Sequence, residues 1–167
     1  MNRMRVLITG ASSGIGRSMA YIFASRGYDL VLVARSKDKL DNIKKEIDNV
    51  KVDICVSDLT SVDNCKKIYE KYKDIDILVN NAGFGLVGVF NKTDLDKELK
   101  MIDTNIRAMH ILTKLYLSDM IGKDSGKILN VASISGFLPG PLMATYYATK
   151  SYVVRLSEGI REELRRG

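Results

Sequence analysis

Tyr146 and Lys150 stand four residues apart in a stretch, from 144 to about 166, whose pattern reads as a helix. At that spacing two helical side chains share one face. A free phenol gives up its proton near pH 10, too high for ready exchange at neutral pH. An ammonium alongside stabilises the phenolate, which suits a general acid/base. Tyr147 adjoins Tyr146, but only Tyr146 has a lysine four residues on. Ser133 follows an apolar run, Gly126 to Ala132, and its hydroxyl could hold a substrate oxygen. A tyrosine four before a lysine is by itself a common accident; its meaning depends on what else the chain brings to the same place.

A second chemical feature lies near the start. Thr9-Gly10-Ala11-Ser12-Ser13-Gly14-Ile15-Gly16 carries glycines at i, i+4 and i+6, between a strand-like and a helix-like segment. Glycines let a backbone turn tightly and approach a pyrophosphate, and the N–H groups that open the next helix are free to bind it. In dinucleotide folds a carboxylate about 20 residues on takes the adenosine ribose 2′-OH. Here Ala34 and Arg35 occupy that region. A guanidinium binds a 2′-phosphate through parallel hydrogen bonds, whereas a carboxylate repels it. NADP(H) is therefore expected over NAD(H), with NAD(H) possible.

These residues need elements to position them. Apolar runs predict strands near 4–9, 29–34, 50–56, 75–79 and 126–132. Helices are predicted near 14–26, 37–48, 61–72, 93–120 and 144–166, with Gly27 closing the first. The long fourth helix carries Leu95, Leu99, Ile102, Ile106, Met109, Leu112 and Leu115 at three- and four-residue spacings. That stripe, Leu95, Leu99 and Ile102 included, is expected to serve the core. Strict alternation of strand and helix implies an α/β chain with a Rossmann-like, doubly wound parallel sheet, order 3-2-1-4-5. Gly83 to Asn91, uncharged and with three glycines, follows the fourth strand at the edge where such folds bind ligands.

Composition bounds the rest. The 167 residues, 46% of them hydrophobic, suffice for one domain with a core and no disulfides. A net charge of +6 favours anionic ligands. The cations are interleaved with acids, as in Lys37, Asp38, Lys39, Asp41, Lys44 and Glu46, so a solvated helix face is expected rather than a nucleic-acid surface. Cys55 and Cys65 lack metal or redox spacing, His110 has no metal-site partners, and no metal site is expected. No signal peptide or membrane span is seen, so a cytoplasmic chain with no membrane partner is expected.

Taken together the motifs resemble the short-chain dehydrogenase/reductase family, collinearly along almost the whole chain. Thr9-Gly10 to Gly16 matches the family's cofactor turn, with Ser12, Ser13, Gly14 and Ile15 inside it. Asp58-Leu59 matches the acidic dipeptide that holds adenine. Asn80-Asn81-Ala82-Gly83 matches the motif after the fourth strand, and Asn105 the asparagine of the long helix. The resemblance implies that Tyr146 exchanges the proton on a carbonyl or alcohol oxygen while hydride passes to or from nicotinamide. It implies that Ser133 binds that oxygen, that Lys150 supports Tyr146 and holds the nicotinamide ribose, and that Asn105 anchors a water leading to solvent. Asn81, Ala82, Gly83 and Tyr146 would join the cofactor contacts. Family members pair through the long helix and the Tyr-Lys helix, so a homo-oligomer is expected.

Family members also continue past a helix such as 144–166 into further strands and a segment that caps the substrate. The 167 residues are therefore expected to form a single NAD(P)-binding domain, C-terminally short against the family. This leaves a rival reading, a dinucleotide-binding chain that does not catalyse. A basic nucleic-acid-binding α/β domain and a flavodoxin-like domain are two others. Phe84, Phe90, Phe137, Leu138, Leu142 and Met143 suggest an apolar substrate pocket or, equally, loop packing.

Overall fold

Alternating burial along the strands divides the core in two. In β1 (Arg5–Thr9), Val6 and Ile8 belong to one apolar cluster and Leu7 to the other. β2 (Asp29–Ala34) repeats the alternation, with Leu30 and Leu32 against Val31 and Val33. A strand apolar on both faces must be covered on both. α1 (Gly14–Ser25) and α2 (Lys37–Glu46) cover the first face with Ala20, Ala24, Leu40 and Ile43. α3 (Val62–Lys71) and α5 (Met109–Gly122) cover the second with Cys65, Ile68, Leu112 and Tyr116.

The computed structural model describes residues 3–166; Met1, Asn2 and Gly167 lie outside the described residues. β3 (Val52–Val56), β4 (Ile77–Asn80) and β5 (Lys127–Asn130) complete a five-stranded parallel sheet. Its order is β3-β2-β1-β4-β5, as the alternation of elements predicts. Val6 pairs with Leu30 and Ile77, and Asn80 with Asn130, so the carboxyl ends of β1, β4 and β5 lie side by side. β5 is an edge strand, and Leu129 is exposed on it. α1 ends in a Schellman motif. Gly27, at φ +80°, donates to Ala24 O at 2.9 Å, and Tyr28 N donates to Phe23 O at 3.1 Å. The Phe23 and Tyr28 rings meet edge-on behind it, 5.4 Å apart.

The helix expected over 93–120 is not a single α-helix. α4 (Leu95–Ile102) and α5 are joined by a π-helical turn over Asp103–Ala108. α4 also corrects the expected core stripe. Leu95 is 66% and Leu99 48% exposed, while Glu98 and Met101 are buried. The buried face keeps a three- and four-residue spacing straight through the turn, on a side of the helix that the Leu95–Leu99 stripe does not share. The inward face then runs through Met101, Asn105, Ala108 and Leu112. Glu98 is tolerated inside because Thr93 Oγ1 donates to its carboxylate at 2.6 Å.

Among the described residues no helix is long and apolar enough to cross a membrane, and no group of three or more His, Cys, Asp or Glu could hold a metal. Both cysteines are free. Burial pushes the Cys65 thiol up to about 11, and its Sγ donates to Leu59 O at 3.6 Å. His110 is exposed at the surface, its Nδ1 2.7 Å from the Tyr152 hydroxyl.

Candidate functional site

The site begins where β1 ends. Gly10 and Gly14 take φ of +65° and +53°, which glycine adopts without strain. A Cβ on Gly10 would lie 2.8 Å from Ala82 Cα, so the turn also needs glycine for closeness. Gly16 is tighter still: a Cβ there would stand 2.4 Å from Gly10 O and 2.5 Å from Asn81 Nδ2. Asn81 fastens the turn by donating to Thr9 O at 3.1 Å and Gly10 O at 3.2 Å. Thr9 Oγ1 returns the contact, accepting from the N–H groups of Asn81 and Ala82 at 3.0 Å each.

At the N-terminus of α1 the Ser13 side chain makes no capping bond, and no acidic residue stands in the first turn. Those N–H groups and the positive end of the helix dipole are thus left for an anion. They open on a groove of about 440 Å³. Gly10, Ser12, Ser13, Gly14 and Ile15 line it with Asn81 and Ala82 packed against their turn, together with Arg35, Asp58 and Leu59, and Gly83, Tyr146 and Lys150 complete the lining. Of the residues expected to contact a cofactor, only Gly16 lies outside this lining, packed beneath the turn. The groove's lining, its free helix N-terminus and its close-packed glycines fit a dinucleotide.

Arg35 is exposed at the end of β2 and, among the described residues, makes no ion pair. The Asp58 carboxyl is held below its ordinary range by the Thr60 N–H that donates to it, and more weakly by the Thr60 hydroxyl, Arg35 and Lys100. Arg35 and Asp58 follow the paired ends of β2 and β3, where Ala34 faces Val56. Lys39, one turn into α2, shares a smaller adjoining recess with Ser12, Ser13 and Arg17. In the sequence Lys39 reads only as part of a solvated helix face; its signal was a cation following Arg35 on the next helix.

α6 (Ala144–Arg166) brings Tyr146 and Lys150 onto one face. Lys150 is only 6% exposed, and its Nζ donates to Val131 O at 2.9 Å. Nζ lies 5.9 Å from the centre of the Tyr146 ring. Burial lowers the Lys150 pKa from its ordinary value, because an ammonium loses hydration there. Tyr147 turns away to pack on Gly140, where a Cβ would meet its ring at 2.3 Å. Ser133 sits at the N-terminus of a 3₁₀ turn, Ile134–Phe137. Its Oγ accepts from Ser135 N and bonds to Ser135 Oγ, both at 3.1 Å, which fixes its direction.

Asn105 reaches the site from the π-turn. Its Oδ1 accepts from Phe84 N at 3.0 Å, and its Nδ2 donates to Phe84 O at 2.9 Å and to Thr149 Oγ1 at 3.1 Å. Both amide protons are thus committed to protein groups. Neither Phe84 nor Thr149 was marked as a polar partner by the sequence; Thr149 was legible only as a residue three after Tyr146.

The apolar residues around Tyr146 are not packed into the loops. Phe84, Phe90, Phe137, Leu138 and Leu142 are all exposed. Phe84 lies on the loop 83–89 and Leu138 and Leu142 on the loop 138–143, while Phe90 and Phe137 stand in short 3₁₀ turns beside them; Gly88 N donates to Leu142 O at 2.7 Å between the two loops.

Known proteins resemble this chain in sequence and fold. Residues 4–167 match the short chain dehydrogenase family. The human very-long-chain 3-oxoacyl-CoA reductase is 39% identical over 172 residues, 95% of this chain and 54% of that protein. The chain thus spans about half the length of that relative. The bulky-bulky ketone specific alcohol dehydrogenase from Comamonas testosteroni superposes with a TM-score of 0.92 at 35% identity, over 99% of this chain and 69% of that one. A short-chain dehydrogenase from Sphingobium yanoikuyae, solved in complex with NADPH, gives 0.91 at 37% identity, over 98% and 66%. The five-stranded order, the glycine turn fastened by Asn81 and the paired Tyr146 and Lys150 thus stand on a chain that belongs to the short-chain dehydrogenase family.

Proposed function

We propose that residues 1–167 form one NAD(P)-binding Rossmann domain that serves an NADP(H)-dependent oxidoreductase acting on a carbonyl or alcohol. The observation that carries this reading is the convergence of Tyr146 and the buried Lys150 on the groove that begins at the glycine turn. The likeness to a dehydrogenase solved with NADPH supports the cofactor class. Arg35, exposed and unpaired among the described residues, supports the phosphorylated form.

A bound nicotinamide cofactor would supply the hydride chemistry. The chain's own residues supply the rest. In reduction, Tyr146 gives its proton to the substrate oxygen; in oxidation it takes one. Ser133 donates to that oxygen and stabilises the charge that develops there. Lys150 places a positive charge on the same face as Tyr146, favouring the phenolate left when the proton departs. Gly10 to Ile15 and the N–H groups of α1 hold phosphate, Arg35 the 2′-phosphate, and Asp58 and Leu59 the adenine end. The exposed apolar rim of Phe84, Phe137 and Leu142 favours a substrate with apolar groups flanking the carbonyl.

Leu95 and Leu99, exposed on α4, support pairing of two copies through the long helix. Titrating NADPH into the chain, followed by generic aldehydes and ketones, tests the reading through nicotinamide fluorescence and its loss on turnover. Binding with turnover is expected. Binding without turnover favours the non-catalytic dinucleotide reading, and no binding overturns both.

A further inference from the structure

Between Tyr146 and Lys150 on α6 lies a side chain to which the chemistry above gives no task. Thr149 is 1% exposed. Its hydroxyl donates to the carbonyl oxygen of Tyr146 at 2.7 Å, the local bond that helical threonines commonly make. Its second bond is not local. The same oxygen accepts from Asn105 Nδ2 at 3.1 Å, joining residues 44 apart in the chain and tying α6 to the π-turn.

The group it receives is itself a clamp. Asn105 holds the Phe84 backbone from both sides, through Phe84 N and Phe84 O. Asn105 is 2% exposed, so water is denied at this point. Without the Thr149 hydroxyl one amide proton would be orphaned in the interior, and the carboxamide would be held from the Phe84 side alone. Gly83 packs against the same group: a Cβ there would lie 3.0 Å from Asn105 Oδ1 and 3.7 Å from Lys150 Nζ. Gly83 and Phe84 both line the groove beside Tyr146 and Lys150.

We propose that Thr149 is a positioning residue whose hydroxyl fixes the Asn105 carboxamide, and through it the Gly83–Phe84 backbone, beside Lys150. The role in turnover rests on the oxidoreductase reading; the hold on Asn105 does not. Thr149 touches no reacting atom. Its loss misplaces the wall around Lys150, while the Gly10–Gly16 turn keeps the hydrogen bonds it receives from Asn81.

Thr149→Val keeps the shape and removes the hydroxyl, and Thr149→Ser keeps the hydroxyl. At saturating NADPH and ketone, Thr149→Val is expected to lower kcat by about tenfold, as small misplacements near a reacting centre do. NADPH affinity should hold within about twofold, and Thr149→Ser should restore kcat. In the cofactor-free chain, the side-chain amide protons of Asn105, followed by NMR, should exchange slowly with solvent in the wild type and Thr149→Ser. They should exchange faster in Thr149→Val. Should Thr149→Val fail to fold, Thr149→Ala carries the same comparison.

Full kcat in Thr149→Val, equal losses in the Val and Ser variants, or unchanged Asn105 exchange would each overturn the proposal. If the wild type reduces no carbonyl compound, the oxidoreductase reading fails, and the exchange measurement alone decides whether Thr149 holds Asn105.

Discussion

Asn81 donates from one side-chain nitrogen to two consecutive carbonyl oxygens, those of Thr9 and Gly10, so the end of β4 holds the glycine turn in shape. Asn81→Asp keeps the size and replaces that donor by an acceptor. Two carbonyls would then face a carboxylate, and the turn would open. NADPH affinity is expected to fall by at least about tenfold, the scale of losing one or two buried hydrogen bonds. Fluorescence titration checks it; unchanged affinity would show that the turn keeps its shape unaided.

Tyr146→Phe removes one oxygen from the proposed proton route and little else. Turnover is expected to drop by about a thousandfold or more, while NADPH still binds. Tyr147→Phe, on the side chain that packs against Gly140, should stay near wild type. Equal losses in the two variants would disprove the distinction drawn between the neighbouring tyrosines.

Arg35→Asp exchanges a cation for an anion at the end of β2. The ratio of kcat/KM for NADPH over NADH is expected to fall by about a hundredfold, from a lost charge-assisted bond plus repulsion. A constant ratio would remove Arg35 from cofactor choice. Lys39 would then be the residue to vary, since it shares the adjoining recess with Ser12 and Ser13.

Cys65 gives the alkaline limb of stability. In the unfolded chain a thiol ionises near 9, while burial holds the folded Cys65 to about 11. Between those values the unfolded state has lost the proton that the folded state keeps. The stabilisation is complete below pH 9 and is lost as pH rises to 11, amounting to on the order of 2–3 kcal/mol. Cys65→Ala should be less stable than wild type at pH 7, by about 1 kcal/mol, with the gap closing between pH 9 and 10 and reversing by pH 10.5. Urea unfolding at pH 7, 9 and 10.5 reads the difference; a gap independent of pH would show that Cys65 ionises no later than a free thiol.

Leu99→Arg places a charge on the exposed face of α4 without touching the core. Light scattering should show the wild type as an oligomer and the variant as a smaller species. A wild-type monomer, or a variant that still pairs, would exclude this face.

The strand order and the glycine turn were legible because parallel strands are apolar on both faces and a phosphate turn needs glycine in a fixed place. That Tyr146, Lys150 and Arg35 share one groove was legible as well, from their places at the carboxyl ends of the predicted strands and on the last helix. The π-turn was not, because its wider coil leaves no mark in hydrophobic spacing, and the apolar stripe through Leu95 and Leu99 hid a second helical face, Glu98, Met101, Asn105 and Ala108, which is the one the fold buries. Lys39 and Thr149 were hidden for another reason. Their partners, Ser12 and Asn105, stand 27 and 44 residues away, and only the fold brings each pair together.

The bond from Gly88 N to Leu142 O fastens the loop after β4 to the loop after β5. The mouth beside Tyr146 is therefore a closed frame, not two independent lips. A bulkier residue on either loop shifts both rims, so substitutions at Val87 and Leu138 should not add when combined. On the function proposed above, selectivity belongs to the frame as a unit, and altering it calls for changing both loops at once.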